Sequence, residues 1–292
     1  MKHLTINDPD YPLLLKQVYK PPQKLFYSGD LSAFKSPALA IVGTRKYSEY
    51  GEQVTRKIIE ELSHTDIVIV SGLAKGIDTI AHEAALQSNL KTIAVLGNGL
   101  DQIYPRQNTA LAEQIAHQGL ILTEFPPNTP PQKYNFPQRN RIISGLSLGT
   151  LIIECPEKSG AMNTASHALH QSREIFTVPQ DFYRTTAAGP LQLLQKSAAY
   201  PVQSGRDILE ILNIQPTLFD SNMSTEAVIA PTQTKPNSQQ KILSTLNRYR
   251  LTPLSKIAEK TTLPISELLA TLSILELKGL IEIKNEKYLR AC

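Results

Sequence analysis

Cysteine is nearly absent: Cys155 and the terminal Cys292 are the 2 in 292 residues. So few exclude a disulfide framework and any metal site built on paired cysteine spacing, and both suit a reducing cytoplasm. Tryptophan is missing altogether. No apolar run approaches the roughly 18 residues that a membrane helix requires. The first dozen residues carry Asp8, Asp10 and two prolines where a signal peptide needs an apolar stretch. The expectation is a cytoplasmic protein with no membrane partner. Nucleotide fingerprints are lacking too: there is no Gly-x-Gly-x-x-Gly opening a helix and no Gly-x-x-x-x-Gly-Lys-Ser/Thr loop. That weighs against an enclosed dinucleotide or nucleoside triphosphate, and no cofactor is expected.

Charge is present in both signs, and its distribution is uneven. The net charge is +4. From Asn237 to Cys292 six Lys and three Arg face five Glu and no Asp, which accounts for all of that excess. Upstream the charges cancel, so a basic site there must come from arrangement rather than bulk charge.

Six apolar, β-branched segments recur through the middle of the chain: Ala38–Val42, Ile67–Val70, Thr92–Leu96, Leu120–Thr123, Thr150–Ile153 and Glu174–Val178. Runs without polar alternation suit strands covered on both faces. Between them Ile58, Ile59 and Leu62 share one helical face, and Ile77, Ala81, Ala84 and Ala85 another. Strand and helix in alternation imply an α/β fold with a doubly wound, mostly parallel, Rossmann-like sheet over residues 37–213. Residues 1–36 read as a connector. Residues 214–236, with Pro216, Pro231 and Pro236 among Ser, Thr, Asn and Gln, read as a flexible linker. Beyond it, helices over Gln239–Asn247 and Leu254–Lys260, a longer one from Pro264 to Gly279, and strands Leu280–Lys284 and Lys287–Arg290 describe a winged helix over 237–292.

Ligands of open parallel sheets sit beyond the carboxyl ends of the strands, where helix N-termini also point. Those positions read Gly43-Thr44-Arg45, Ser71-Gly72-Leu73-Ala74-Lys75-Gly76, Gly97-Asn98-Gly99 and, after Glu154-Cys155, Ser159-Gly160-Ala161. Glycines admit a phosphate close to the backbone, hydroxyls can donate to it, and Arg45 and Lys75 add charge. Phe136-Pro137-Gln138-Arg139-Asn140-Arg141, with Lys133 three residues before the ring, supplies an aromatic surface for a base and cations for flanking phosphates. Read alone, that hexapeptide also fits a surface loop with a buried Phe anchor and two solvated arginines.

Catalytic machinery is sparse. Asp78 and His82 share a helix face, but a metal site would need further ligands, so Asp78 is expected to cap the helix and His82 to pack beneath the loop. Glu154 lacks a partner nucleophile, and Cys155 reads as a packed thiol.

These motifs, in this order, resemble the DNA-processing protein A family (DprA, also called Smf). The matching segments are Ile41–Arg45, Tyr47–Gly51, Ser71–Asp78 with Ala81-His82, Gly99–Asp101 with Tyr104-Pro105, Phe136–Ile143, and Ser159–Ala161 with Thr164-Ala165. The resemblance runs from about Tyr11 to Asp207. It implies a non-enzymatic, homodimeric protein that binds single-stranded DNA and loads RecA recombinase onto it in natural transformation. Carried over by position, Arg45, Lys75, Lys133, Arg139 and Arg141 would contact phosphates and Phe136 a base. Gly43, Thr44, Ser71, Gly72, Ser159 and Gly160 would donate hydrogen bonds, and Asn140 lies within the same motif. Members often begin with a helical domain of the sterile-alpha-motif type, of which only the trailing connector is seen here. Val178-Pro179-Gln180 and Gly189-Pro190-Leu191 depart from the family's Val-Pro-Gly and Gly-x-Asn. The alternative is a nucleotide-processing enzyme like the lysine-decarboxylase-like phosphoribohydrolases, whose Gly-Gly-x-Gly-Thr stretch is lacking at Ser159–Thr164.

The family frequently carries a C-terminal winged helix as well. Here its recognition helix, Ile265 to Lys278, holds Glu267 and Glu276 against the single Lys278. The surplus cations Arg248, Arg250, Lys284, Lys287 and Arg290 fall on helix one and the wing. Backbone or protein contact is expected there rather than base reading.

Overall fold

The structure is a computed structural model describing residues 2–215, 238–246, 252–261, 263–278, 280–284 and 287–290. The chain separates into two compact units, Met1–Phe219 and Asp220–Cys292. Most of the expected linker lies outside the described residues, as do Arg248 and Arg250.

In chain order the first unit contains β1 (Lys2–Thr5), α1 (Leu13–Lys16), β2 (Lys24–Gly29), β3 (Ala38–Val42), α2 (Glu49–Glu61), β4 (Val68–Ser71), α3 (Ile77–Gln87) and β5 (Thr92–Val95). It continues with α4 (Thr109–Gln118), β6 (Leu120–Thr123), α5 (Asn135–Gly145), β7 (Gly149–Ile152), α6 (Gly160–His170), β8 (Glu174–Thr177), α7 (Ala188–Gln195), β9 (Tyr200–Pro201) and α8 (Gly205–Leu212). The nine strands form one sheet in the order β1-β2-β6-β5-β4-β3-β7-β8-β9. Strands β3 to β9 run parallel, while β1 and β2 add an antiparallel edge beside β6.

The side-chain period of two divides each buried strand between two cores. Ala38, Ala40 and Val42 face one with α5 and α6, whereas Leu39 and Ile41 face the other with α2, α3 and α8. A third cluster packs α4 against β5 and β6. Strand β3 is the first of the parallel set, and the chain fills one side of it with β4, β5 and β6 before returning to place β7 on the other. The β3/β7 boundary is therefore the topological switch point.

The expected connector, residues 1–36, departs from the sequence reading by supplying β1 and β2. Their burial alternates weakly, with only Leu4 and Leu25 buried, so no continuous apolar run marks them.

The second unit contains α9 (Ser238–Thr245), β10 (Thr252–Pro253), α10 (Leu254–Thr261), α11 (Ile265–Leu277), β11 (Ile281–Lys284) and β12 (Lys287–Arg290). Its strands pair antiparallel in the order β10-β12-β11. Its core is built on Ile242, Leu246, Ile257, Leu268, Leu272, Leu275 and Ile281. On α11, Ile265, Leu269 and Ile274 are exposed. Among the described residues, no helix is long and apolar enough to cross a membrane.

Candidate nucleic-acid interface

The loops after β3 and β7 and the start of α5 enclose a cavity of about 490 Å³ at the switch point. A smaller hollow of about 270 Å³ adjoins it. Gly43, Thr44, Arg45, Lys133, Phe136, Ser159 and Gly160 line the larger one; Gly72 and Lys75 line the smaller. Arg45, Lys75 and Lys133 are exposed. Three cations therefore stand around these two openings with their charge facing water.

The loop that carries Arg45 is fixed from behind. Glu154, two residues beyond the end of β7, is fully buried. Its carboxylate accepts from the Ser48 N–H at 2.9 Å and from the Ser48 hydroxyl at 2.5 Å. Its carbonyl accepts from the Thr44 N–H at 2.7 Å. Ser48 in turn caps α2 by accepting from the Gly51 N–H. The Arg184 guanidinium, 3.8 Å away, balances the buried charge. Glu154 is thus an anchor, and the sequence had offered only a lone carboxylate. The one sign of its role in the sequence is its place just beyond the predicted strand Thr150–Ile153. Gly76, at φ +87°, lies against the Thr44 carbonyl, where a side chain would collide with the backbone; this joins the β4 loop to the same edge.

The segment read as a strand-binding loop is the first turns of α5. Pro137 is tolerated there because first-turn N–H groups have no partner within the helix. Phe136 lies over Gly97, where a Cβ would stand 2.9 Å from the ring. Its centroid is 5.6 Å from that of Tyr104. The buried Asn140 amide donates to the Gly160 carbonyl at 3.1 Å and to Asn163 Oδ1 at 3.2 Å, clamping α5 to α6.

Four expected contacts are corrected. Arg139 is 4% exposed and donates through Nη1 to the carbonyls of Gly72 and Val95, so it braces the cavity floor instead of facing a phosphate. Burial lowers its pKa to about 10, against the pull of Asp78. Arg141 faces away and pairs with Glu124. The Ser71 hydroxyl donates to the Ile41 carbonyl inside the sheet. Gly72 sits against the buried Asp78 carboxylate, whose pKa is raised by desolvation and lowered by the Gly72 N–H. Asp78 does not cap its helix, whose N-cap is Gly76. It reaches back to the β4 loop instead, accepting from the Ala74 N–H at 3.4 Å.

Ser159 and Gly160 line the larger cavity. Ser159 caps α6 by accepting from the Met162 N–H, and a Cβ at Gly160 would meet nothing within 4 Å. The first-turn N–H groups of α6 therefore stand beside the cavity. His82 is buried, with Nδ1 2.7 Å from Thr92 Oγ1. Because that hydroxyl donates to the Ile69 carbonyl, Nδ1 carries the proton. Cys155 is buried and its thiol is pushed up to about 11 by desolvation. Gln180, a departure from the family pattern, donates to the Ile153 carbonyl.

Comparison with known proteins gives one consistent picture. Residues 2–213 match the family described as DNA recombination-mediator protein A, and residues 226–284 match the DprA winged helix domain. The chain is 44% identical over 218 residues to DNA processing protein DprA of Bacillus subtilis (strain 168), covering 73% of each chain. It is 39% identical over 299 residues to protein Smf of Escherichia coli (strain K12), covering 99% of this chain and 77% of that one. The crystal structure of DprA from Streptococcus pneumoniae superposes with a TM-score of 0.69 at 42% identity, over 72% of this chain and 73% of that chain. A structure of DNA processing protein A from Helicobacter pylori, reported for that protein's single-stranded DNA binding mode, gives 0.66 at 33% identity, over 73% and 96%.

Proposed function

Because this chain belongs to the DNA recombination-mediator protein A family, we propose that it is a recombination mediator which holds single-stranded DNA at the β3/β7 switch point. In this reading it acts in the cytoplasm as a homodimer and loads RecA recombinase onto incoming DNA during natural transformation. The observation that carries the strand reading is the cavity itself, where exposed Arg45, Lys75 and Lys133 surround an aromatic wall at Phe136. The cations take successive phosphates, and the ring takes a base. The Thr44 and Ser159 hydroxyls and the backbone of Gly43 and Gly160 add donors. Arg139, Asn140, Ser71 and Gly72 hold the frame. Binding and positioning suffice for this work, with no bond made or broken.

The test is fluorescence anisotropy with a labelled oligonucleotide, single-stranded and then duplexed, across a salt series. The single strand is expected to bind more tightly, and Arg45→Ala to flatten the salt dependence by roughly one counterion. Equal affinity for both forms, or an unchanged slope, would overturn the strand reading. RecA loading is read separately, as RecA filament formed on strand already coated by a single-strand-binding protein. Strand binding without faster filament growth would remove that step alone.

A further inference from the structure

The two hollows adjoin along shared lining. Arg45, Ala74, Tyr104 and Phe136 belong to both, and Tyr104 and Phe136 are the two rings among them. Their rings meet at 42° with centroids 5.6 Å apart, a contact that holds both in place. Phe136 is backed by Gly97, while Tyr104 remains 43% exposed. The larger hollow falls within the usual range for a small-molecule site, about 300–1,000 Å³. Each hollow has a cation of its own, Lys133 in the larger and Lys75 in the smaller, and Arg45 stands between them.

We infer that Tyr104 is a second base-stacking residue, forming with Phe136 a wedge that separates two neighbouring nucleotides of a bound strand. The inference rests on the strand reading above. One base enters the larger hollow and the next lies over the smaller, with the phosphate between them on Arg45 and the flanking phosphates on Lys133 and Lys75. A strand held in this way cannot keep adjacent bases stacked at the wedge. Duplex DNA, whose bases are locked in a stack, cannot enter. The wedge thus gives selection for single strands by shape, independent of sequence, because every base offers a π-face.

The experiment compares the whole chain with Tyr104→Ala, Tyr104→Phe and Arg45→Ala on two probes: a labelled thymidine oligonucleotide and a strand of the same length made only of abasic tetrahydrofuran residues. Tyr104→Ala should weaken binding to the thymidine strand roughly 5- to 150-fold, the worth of one base–aromatic stack, and leave the salt slope unchanged. Tyr104→Phe, which keeps the ring, should bind like wild type. On the abasic strand, where no base meets the wedge, wild type and Tyr104→Ala should bind alike. The inference is overturned if Tyr104→Ala binds thymidine strand as wild type does, or is weakened equally on the abasic strand. A lowered slope in that variant would also overturn it, since the ring would then only be supporting the cations. If the wild-type chain binds neither strand, or Arg45→Ala leaves the slope intact, the strand reading itself fails. The two failures are therefore distinct.

Discussion

His82 has no path to water: it is fully buried, and burial with the nearby Arg139 pushes its pKa down to about 3. Its ordinary value is 6.5, so between those limits the unfolded chain binds a proton that the folded chain refuses. The stability gained from a neutral His82 is whole above that window and is lost as pH falls through it, by up to about 1.4 kcal/mol per pH unit. Urea unfolding of wild type and His82→Gln at pH 7 and pH 5 should show the variant losing less between the two. Parallel losses would mean that His82 takes up its proton without unfolding. Arg139 and Arg141 show what single residues hide in a sequence. Six letters with two arginines announced cations, but the side each faces depends on helical phase. On α5, at about 100° per residue, Phe136, Asn140 and Ile143 fall along the cavity face. Arg141, five positions after Phe136, is turned about 140° away, where it meets Glu124. Composition carries charge; only the helix assigns it a direction.

The buried strands were the elements most legible in the sequence. Ala38–Val42 and Leu120–Thr123 have the expected bounds, because strands covered on both faces tolerate no polar break. β1 and β2 were not legible, since an edge pair half open to water leaves only a weak pattern. α5 was masked by its own chemistry: Pro137 and the polar residues around it read as loop until the helix start is located. The loops beyond the strand ends were legible, but neither the strand order that makes β3/β7 the switch point nor the packing of α5 over Gly97 was, because both join elements distant in sequence. That packing gives a prediction at this scale. Gly97→Ala would put a methyl 2.9 Å from the Phe136 ring, forcing the ring outward at a stability cost of roughly 1–3 kcal/mol. Strand affinity should drop, with the salt slope kept, as measured by anisotropy beside a thermal melt. Unaltered affinity would show that the ring's position is not critical.

At the scale of the molecule, the chain has two units with separate cores. The winged helix presents Ile265, Leu269 and Ile274 on its third helix, with Glu267, Glu276 and Lys278 as that helix's charged residues, and base edges are read by Arg, Lys, Asn and Gln. Selection of the full chain from random duplexes should therefore yield no consensus; a sharp one would show that this unit reads sequence. In the first unit, the clasp between Ser48 and Glu154 joins residues 106 positions apart. A ribosome adding roughly 5–20 residues per second delivers the carboxylate on the order of 5–20 seconds after the loop it will fix. During that wait Arg45 has been synthesised but is not yet aimed. A chain that ends ahead of residue 154 would hold Arg45 without the carboxylate that fixes its loop.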